Sequence, residues 1–257
     1  MENKKKIIAL TRPFDRIDEA HEIIESFKAK AFIAPTLELE IVNSKTLKNL
    51  INNLDKMEWL IFTSPTTIES IFNFYPTFKD DLSNKTKVAA IGLKTAEKLS
   101  EHGLDIDLIP ENFTAEGLIE SFKKLDIKNK CIGIPRTLDA RLILPNELEK
   151  LGAKVLIAEA YKSKLPLDTV RIEVLISKIL NNEIDAITFT SPLTIKNLFK
   201  IAVDEQVNEL INKLSTSILT VSIGPITHKT LEEFGIYSIY PDKYTVKSML
   251  ELLFETL

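Results

Sequence analysis

The chain contains two diverged copies of one pattern, and this internal repeat restricts the possible folds more than any other feature. Residues 62–68, FTSPTTI, return 127 residues later as 189–195, FTSPLTI, and six of the seven positions are identical. Three further pairs of blocks match in the same order: 28–34 with 151–158, 91–95 with 223–227, and 113–114 with 244–245. Because four matching blocks keep one order, the sequence indicates a duplication rather than chance similarity.

Each copy alternates short apolar runs with amphipathic stretches, which is typical of βαβ units and a mainly parallel sheet. Helices are predicted at 15–29 and 138–151 from apolar residues at three- and four-residue spacing. Thr114 and Thr245 are predicted to be N-caps of segments that run to Leu125 and to the C-terminus. Strands are predicted at 6–10, 59–62, 88–91, 131–134, 186–189 and 219–223. The fold class is therefore α/β, with two similar parallel-sheet domains of the flavodoxin-like type.

Two segments depart from this alternation. Residues 35–41 alternate apolar and polar side chains as a half-exposed strand does, and 159–166 do so less cleanly. Both follow the same helix-strand unit of their repeats. From this symmetry we expect them to pair as a two-stranded antiparallel connection between the domains, with a ligand cleft on one side of it.

Composition excludes several classes of partner and places the protein in the cytoplasm. The formal net charge is −4, so the chain creates no overall field that would gather nucleic acid or anionic membrane. The single cysteine, Cys131, excludes an intrachain disulfide and a cysteine metal cluster, and fits a reducing compartment. The apolar run that ends at Thr11 is too short for a signal-peptide core or a membrane span.

The repeated motifs fall where parallel sheets bind ligands, beyond the carboxyl ends of the strands. Ser64 and Ser191 each follow a strand and precede a proline, so we interpret both first as N-caps. That role is compatible with hydroxyls that also face a ligand. Thr95 and Thr227 lie one turn beyond the equivalent Ile-Gly pairs, and capping and ligand contact are both open for them.

Arginines occupy equivalent strand ends in the two copies. Arg12 corresponds to Arg136, 124 residues later, and Arg141 lies on the predicted helix that follows. A strand-end arginine can hold carboxylates or phosphates bidentately, although solvated arginines are equally common. The sequence does not decide whether these arginines contact a ligand or are simply solvated.

No established cofactor motif occurs in the chain. The sequence has no G-x-G-x-x-G, no G-x-x-x-x-G-K-[ST], no H-E-x-x-H and no G-x-S-x-G. His21, His102 and His228 show no metal-ligand spacing, although His228 adjoins Thr227 and could approach the ligand. We therefore expect no metal and no nucleotide cofactor.

Taken together, the blocks resemble uroporphyrinogen-III synthase across essentially the whole chain. They are Leu10-Thr11-Arg12-Pro13, Ile61-Phe62-Thr63-Ser64-Pro65, Ala90-Ile91-Gly92 with Thr95, Pro135-Arg136 with Arg141, Ala160-Tyr161, Phe189-Thr190-Ser191-Pro192, Ile223-Gly224-Pro225 with Thr227, and Thr245. The resemblance implies a discontinuous first domain of 1–36 and 165–257, a second domain of 42–158, and linkers at 37–41 and 159–164. It also implies cofactor-free closure of the polycarboxylate hydroxymethylbilane, with loss of water and inversion of the last ring, to uroporphyrinogen III.

The resemblance also suggests roles for single residues. Tyr161 is the best candidate to donate a hydrogen bond or proton to the leaving hydroxyl, with structural packing at the hinge as the alternative. The expected substrate-binding residues are Arg12, Ser64, Thr95, Arg136, Arg141, Ser191 and Thr227. We expect a monomer that receives its substrate by transient hand-over from hydroxymethylbilane synthase.

Two other functions remain open at this point. The first is a non-catalytic sensor domain of the same fold that binds a tetrapyrrole or another small polyanion. The second, a two-domain periplasmic sugar-binding protein, is disfavoured because no signal peptide is visible. Formation of uroporphyrinogen III, the type III isomer, from hydroxymethylbilane distinguishes the synthase from both alternatives.

Overall fold

Two four-stranded parallel sheets with the same strand order form the framework of the protein. A computed structural model describes residues 5–257, so the predicted domain start at residue 1 lies outside the described part. The strands are β1 Ile7–Leu10, β2 Lys30–Ile33, β3 Glu38–Ile41, β4 Trp59–Phe62, β5 Lys87–Ala90, β6 Cys131–Arg136, β7 Lys154–Glu159, β8 Tyr161–Lys164, β9 Ala186–Phe189 and β10 Leu219–Ser222. All six predicted strands are confirmed, with ends that differ by at most two residues.

Helices connect the strands and begin mostly just after strand ends. They are α1 Asp18–Ser26, α2 Lys45–Ile51, α3 Pro65–Phe74, α4 Phe78–Asp81, α5 Leu93–Glu101, α6 Ala115–Phe122, α7 Ile143–Lys150, α8 Val170–Leu180, α9 Pro192–Ile201, α10 Asp204–Thr216, α11 Pro225–Glu233 and α12 Val246–Thr256. Thr114 and Thr245 are confirmed as N-caps, because their hydroxyls accept from the amides of Gly117 and Ser248.

The first unit combines the chain up to Glu38 with Lys164–Leu257. Its sheet has the order β10-β9-β1-β2, and every neighbouring pair is parallel. Alternate residues of β1 point to opposite faces, so Ile8 and Leu10 pack with α1 and α12 while Ala9 packs with α8, α9 and α11. Helices therefore cover both faces of this sheet, as in doubly wound folds.

The second unit comprises Leu39–Ser163 and repeats the arrangement. Its sheet order is β5-β4-β6-β7, again with parallel neighbours. Phe62 packs with α2, α3 and α5 on one face, whereas Trp59 and Ile61 pack with α6 and α7 on the other. The duplicated sequence thus produces two sheets of equivalent order, in which β4, β5, β6 and β7 correspond to β9, β10, β1 and β2.

Strands β3 and β8 form a separate two-stranded antiparallel sheet, as symmetry predicted. Of the predicted segment 35–41, only Glu38–Ile41 forms a strand. The chain passes from one unit to the other through these two segments.

Both predicted helices are shorter than expected. The first is preceded by a separate 3-10 turn, Phe14–Arg16, and ends at Ser26 because Lys28 adopts φ 58° and turns the chain into β2. The second begins only at Ile143. Its expected first turn is a loop in which the amide of Asp139 donates to Thr137 Oγ1 and Arg136 donates to the Arg141 carbonyl. These local bonds compete with helical hydrogen bonding.

Candidate active site

Six of the predicted site residues lie at or beyond the carboxyl ends of strands. In the second unit these strands are β4, β5 and β6, and in the first unit they are β9, β10 and β1. Since the strands of each sheet are parallel, the residues of each set share one edge of their sheet. The two sets are Ser64, Thr95 and Arg136 in the second unit, and Ser191, Thr227 and Arg12 in the first.

The two serines are helix caps, which confirms the first interpretation. Ser64 Oγ accepts a hydrogen bond from the Thr66 amide at 3.3 Å, and Ser191 Oγ accepts from the Thr194 amide at 3.4 Å. Ser64 is buried, whereas Ser191 is half-buried. Each hydroxyl therefore already satisfies one amide at the start of its helix.

The interpretation of Thr95 and Thr227 as helix caps is wrong. Gly92 and Gly224 occupy the N-cap positions of α5 and α11, and neither helix has a side-chain cap. The threonines are the third helical residues and are buried. Because glycine supplies no capping oxygen, the amides of Leu93 and Lys94 in α5 and of Ile226 in α11, which begins with Pro225, remain for water or an anionic ligand, and the helix dipole favours the anion.

Arg136 is a buried cation at the end of β6. It is only 4% exposed, and its Nε and Nη2 donate to the carbonyls of Thr137 at 3.1 Å and Arg141 at 2.9 Å. Within residues 5–257 it forms no ion pair with a carboxylate. Burial lowers the pKa of Arg136 and the nearby Tyr161 side chain opposes that effect, yet the guanidinium keeps its charge at neutral pH. A buried charge of this kind gains most from an anionic ligand.

Backbone bonds at Ala160 place Tyr161 beside Arg136. The Ala160 amide donates to the Arg136 carbonyl at 2.9 Å, and its own carbonyl accepts from the Val42 amide and the Ser70 hydroxyl. Tyr161 is 5% exposed and packs in the core of the second unit. No hydrogen bond of its hydroxyl is found among residues 5–257, so this hydroxyl has a proton to donate.

Arg141 lies in the loop before α7 and not on the predicted helix. It is exposed, and its Nη1 donates to Glu116 Oε1 at 3.0 Å. The pKa of Glu116 is lowered, first by the backbone at the start of α6 and then by Arg141. Arg136 therefore fixes the backbone carbonyl of Arg141, while Glu116 forms an ion pair with the guanidinium of Arg141.

Arg12, the counterpart of Arg136, lies just beyond β1 and is half-buried. Its position at the strand end agrees with the expected geometry. The greater burial of Arg136 follows from β6, which continues to Arg136 itself and pairs there with Glu159.

Several structurally important residues carried signals that the sequence reasoning did not use. Ser70 and Asn197 are 127 residues apart, the offset of the repeat, and both are buried polar residues on apolar helices. Asn197 Nδ2 donates to the Thr36 carbonyl at 2.6 Å, just as Ser70 donates to Ala160. Their shared repeat position was the available signal.

His228 joins a polar and aromatic cluster in the first unit. Its Nδ1 lies 2.9 Å from Ser238 Oγ, and its ring centroid lies 5.1 Å from that of Tyr240. Nothing in its local sequence indicated Ser238 as a partner, because the two residues meet only through the fold.

Among the described residues, no group of three histidine, cysteine, aspartate or glutamate side chains is arranged to hold a metal ion. No helix in residues 5–257 combines the length and apolarity needed to cross a bilayer.

Comparison with known proteins identifies the family. The sequence model of the family described as uroporphyrinogen-III synthase HemD matches residues 18–251. The chain belongs to the uroporphyrinogen-III synthase family. It is 45% identical over 246 residues to "Putative uroporphyrinogen-III synthase" of Methanothermobacter thermautotrophicus, covering 96% of each protein. It is 25% identical to uroporphyrinogen-III synthase of Chlorobaculum parvum, covering 98% of this chain and 99% of that protein.

Solved structures confirm the family's two-domain α/β fold. Uroporphyrinogen-III synthetase from Helicobacter pylori aligns with a TM-score of 0.67 at 19% identity, covering 99% of this chain and 100% of that chain. A mutant uroporphyrinogen III synthase from Thermus thermophilus aligns with a TM-score of 0.58 at 21% identity, covering 97% and 98%. Members of this family are cyclising lyases of porphyrin biosynthesis, so the resemblance seen in the motifs is confirmed, and the comparisons do not favour the non-catalytic sensor.

Proposed function

We propose that this protein converts hydroxymethylbilane into uroporphyrinogen III, and that Arg136 and Tyr161 lie at the reacting end of the substrate. The observation that carries the site assignment is the buried Arg136 guanidinium, which has no carboxylate partner in residues 5–257, together with the backbone bond from Ala160 to Arg136 that places Tyr161 beside it. No hydrogen-bond partner of the Tyr161 hydroxyl is found in the same residues. A polycarboxylate supplies the missing negative charge, and its hydroxymethyl group supplies an acceptor for the tyrosine proton.

The chemistry asks little of the protein beyond positioning. The C–O bond of the hydroxymethyl group breaks, the oxygen keeps the electron pair and takes a proton, and water leaves. The electron-rich pyrrole stabilises the carbocation that remains, and the bridge-bearing carbon of the far pyrrole attacks it. The bond from that carbon to its original methylene bridge then breaks, and the freed methylene bonds to the unsubstituted carbon of the same ring, which inverts the ring. That carbon loses a proton, which restores the hydroxyl form of Tyr161. Tyr161 donates the proton, and the guanidinium of Arg136 stabilises the negative charge that develops on the phenol oxygen.

Carboxylates of the substrate bind at the starts of helices. The first turns of α5 and α11, which contain Thr95 and Thr227, have no side-chain cap and no acidic residue, so the amides of Leu93, Lys94 and Ile226 can bind a carboxylate. Arg12, Arg136 and Arg141 add cationic donors, while Ser64 and Ser191 shape the neighbouring helix starts. Oriented amides and a few arginines suit an anionic substrate even though the net charge is −4.

The test of the function is the isomer that forms. Freshly made hydroxymethylbilane is incubated with the protein, the products are oxidised, and type I and type III uroporphyrins are separated by chromatography. We expect a type III peak that grows with protein concentration. Type I alone, the product of spontaneous closure, from folded protein would overturn the assignment.

We also propose that the protein acts in the cytoplasm as a monomer and takes its substrate by hand-over from hydroxymethylbilane synthase. Spontaneous closure of the free substrate to the type I isomer makes a short transfer advantageous. In a coupled reaction, the type III fraction is expected to stay high when both enzymes are diluted together, whereas a freely diffusing substrate gives more type I on dilution.

Ser70→Ala is expected to lower kcat about 3- to 10-fold, because the Ser70 hydroxyl holds the Ala160 carbonyl and thereby places Tyr161. The amide of Val42 still donates to that carbonyl, so the thermal unfolding midpoint should fall only slightly. Steady-state kinetics of type III formation measure the effect.

The matched control for that variant is Asn197→Ala, which removes the equivalent bond to Thr36 in the unit without Tyr161. A loss of kcat no greater in Ser70→Ala than in Asn197→Ala would show that Ser70 does not position Tyr161.

Glu116→Gln is expected to lower KM up to about fivefold, because it releases the Arg141 guanidinium for a substrate carboxylate. Glu147→Gln removes a less exposed carboxylate, paired with Lys150 on α7, and controls for the change in net charge. Initial rates at low ionic strength provide the comparison. An equal KM in the two variants would place Arg141 away from the substrate.

A further inference from the structure

Two exposed aromatic rings occupy equivalent places in the two units. Phe113 and Tyr244 each stand directly before the N-cap threonine of the next helix, and they match in the sequence repeat. Phe113 is 53% exposed and Tyr244 is 59% exposed. The Tyr244 ring lies 6.5 Å from the Tyr240 ring, measured between centroids, whereas no aromatic partner of Phe113 is found among residues 5–257. The duplication has therefore kept a largely exposed ring at the same place in both units.

Each ring lies on the cap glycine of the helix associated with the proposed carboxylate sites. A Cβ atom at Gly92 would come within 3.1 Å of Phe113 Cβ, and one at Gly224 would come within 3.1 Å of Tyr244 Cγ. Both glycines have extended backbones that any residue can adopt, so the space for the ring is what favours glycine. One side of each ring is thus held against backbone while much of the ring stays exposed.

Exposed apolar residues lie near both rings, and among the first turns of α5, α6, α11 and α12 only that of α6 contains an acidic residue, Glu116, which is paired with Arg141. Leu93 and Ile226, in the first turns of α5 and α11, are also more than half exposed. Neither first turn contains an acidic residue. A ligand that carries both an aromatic ring and a carboxylate complements this arrangement, whereas a purely aliphatic anion leaves the rings unused.

We propose that Phe113 and Tyr244 are substrate-positioning residues that each pack against a pyrrole ring of the tetrapyrrole. The inference rests on the proposed function and extends it to two residues outside the predicted set of site residues. Each ring fixes the plane of one pyrrole, so that its carboxylates meet the adjacent helix start. Phe113 and Tyr244 then set specificity for pyrrole carboxylates over other polyanions.

A local structural role is the alternative explanation for both rings. A residue just before an N-cap often packs on the fourth helical residue, here the fully buried Leu118 and Met249. Leucine preserves such a contact but removes the flat ring. Leucine substitutions therefore separate a structural role from contact with the substrate.

The experiment compares Phe113→Leu, Tyr244→Leu and the double variant with the intact protein. We measure KM for hydroxymethylbilane, anaerobic calorimetric affinity for uroporphyrinogen III, and the thermal unfolding midpoint. Each single variant is expected to weaken binding about 3- to 10-fold, with a roughly multiplicative loss in the double variant. Phe113→Tyr and Tyr244→Phe keep the ring and should retain normal binding.

The outcomes separate the two proposals. Leucine variants that bind the product like the intact protein would overturn the role of the rings, whether or not type III isomer is formed. Weaker product binding in the leucine variants, together with only type I from the intact protein, would support the rings and refute the synthase. A lower unfolding midpoint with unchanged affinity would assign both residues to the local structure.

Discussion

Replacing Tyr161 with phenylalanine is expected to lower kcat for type III formation about 100-fold, the lower end of the range for a lost proton donor. The ring remains and keeps its buried packing, so affinity for uroporphyrinogen III should change less than twofold. Affinity is largely kept because the hydroxyl acts only in the chemical step, when the leaving oxygen takes up its proton. Single-turnover kinetics, corrected for spontaneous type I formation, measure the step directly.

Tyr75→Phe is a suitable control for this variant. Tyr75 lies in the same unit and is half-buried, and its hydroxyl donates to Asn43 Oδ1 at 2.6 Å. Removing the Tyr75 hydroxyl tests whether the loss of any tyrosine hydroxyl from this unit slows the reaction. Equal kcat in Tyr161→Phe and the intact protein would assign Tyr161 to packing alone, the alternative left open by its motif.

The repeat made most of the architecture predictable. Once residues 62–68 and 189–195 are aligned, β4 and β9 must be equivalent, and the neighbouring blocks order the remaining strands around them. Caps were equally accessible, because serine or threonine at the start of an apolar-periodic segment has a local physical cause. Ser64, Ser191, Thr114 and Thr245 all cap the helices that follow them.

Features set by competing local hydrogen bonds were not accessible in this way. The loop 137–142 is predicted as helix by periodicity, yet its hydrogen bonds to Arg136 and within the turn replace the first helical turn. Likewise, the sequence left open whether Thr95 and Thr227 cap their helices, and glycine occupies both cap positions. In both cases the sequence pattern is compatible with two local conformations and does not decide between them.

The environment of Tyr161 shows the same limit at the proposed site. The hydrogen-bond partners of the preceding residue, Ala160, come from β6, the segment after β3, and α3, which lie far apart along the chain. The shared repeat position of Ser70 and Asn197 indicates a similar bond within each unit, but only the fold shows that one of these bonds adjoins Tyr161. The role proposed for Tyr161 therefore depends on a difference between two otherwise equivalent units.

Arg136→Gln is expected to raise KM about 30-fold or more, because it removes the buried charge proposed to hold a substrate carboxylate. The effect on folding should be small. Losing the bonds to the Thr137 and Arg141 carbonyls destabilises the loop, but removing a buried charge without a carboxylate partner in residues 5–257 offsets that loss. Product affinity and the thermal unfolding midpoint, measured on the same preparation, test both parts.

Lys150→Gln removes a cation from the exposed surface of α7 in the same unit, and so controls for net charge. It should leave KM within about twofold, since screened surface charges contribute little. Arg136→Lys distinguishes charge from geometry, because lysine keeps the charge but cannot reproduce the two directed bonds of the guanidinium. A normal KM in Arg136→Gln, together with a large fall in the unfolding midpoint, would make Arg136 a support of its loop and move the carboxylate site elsewhere.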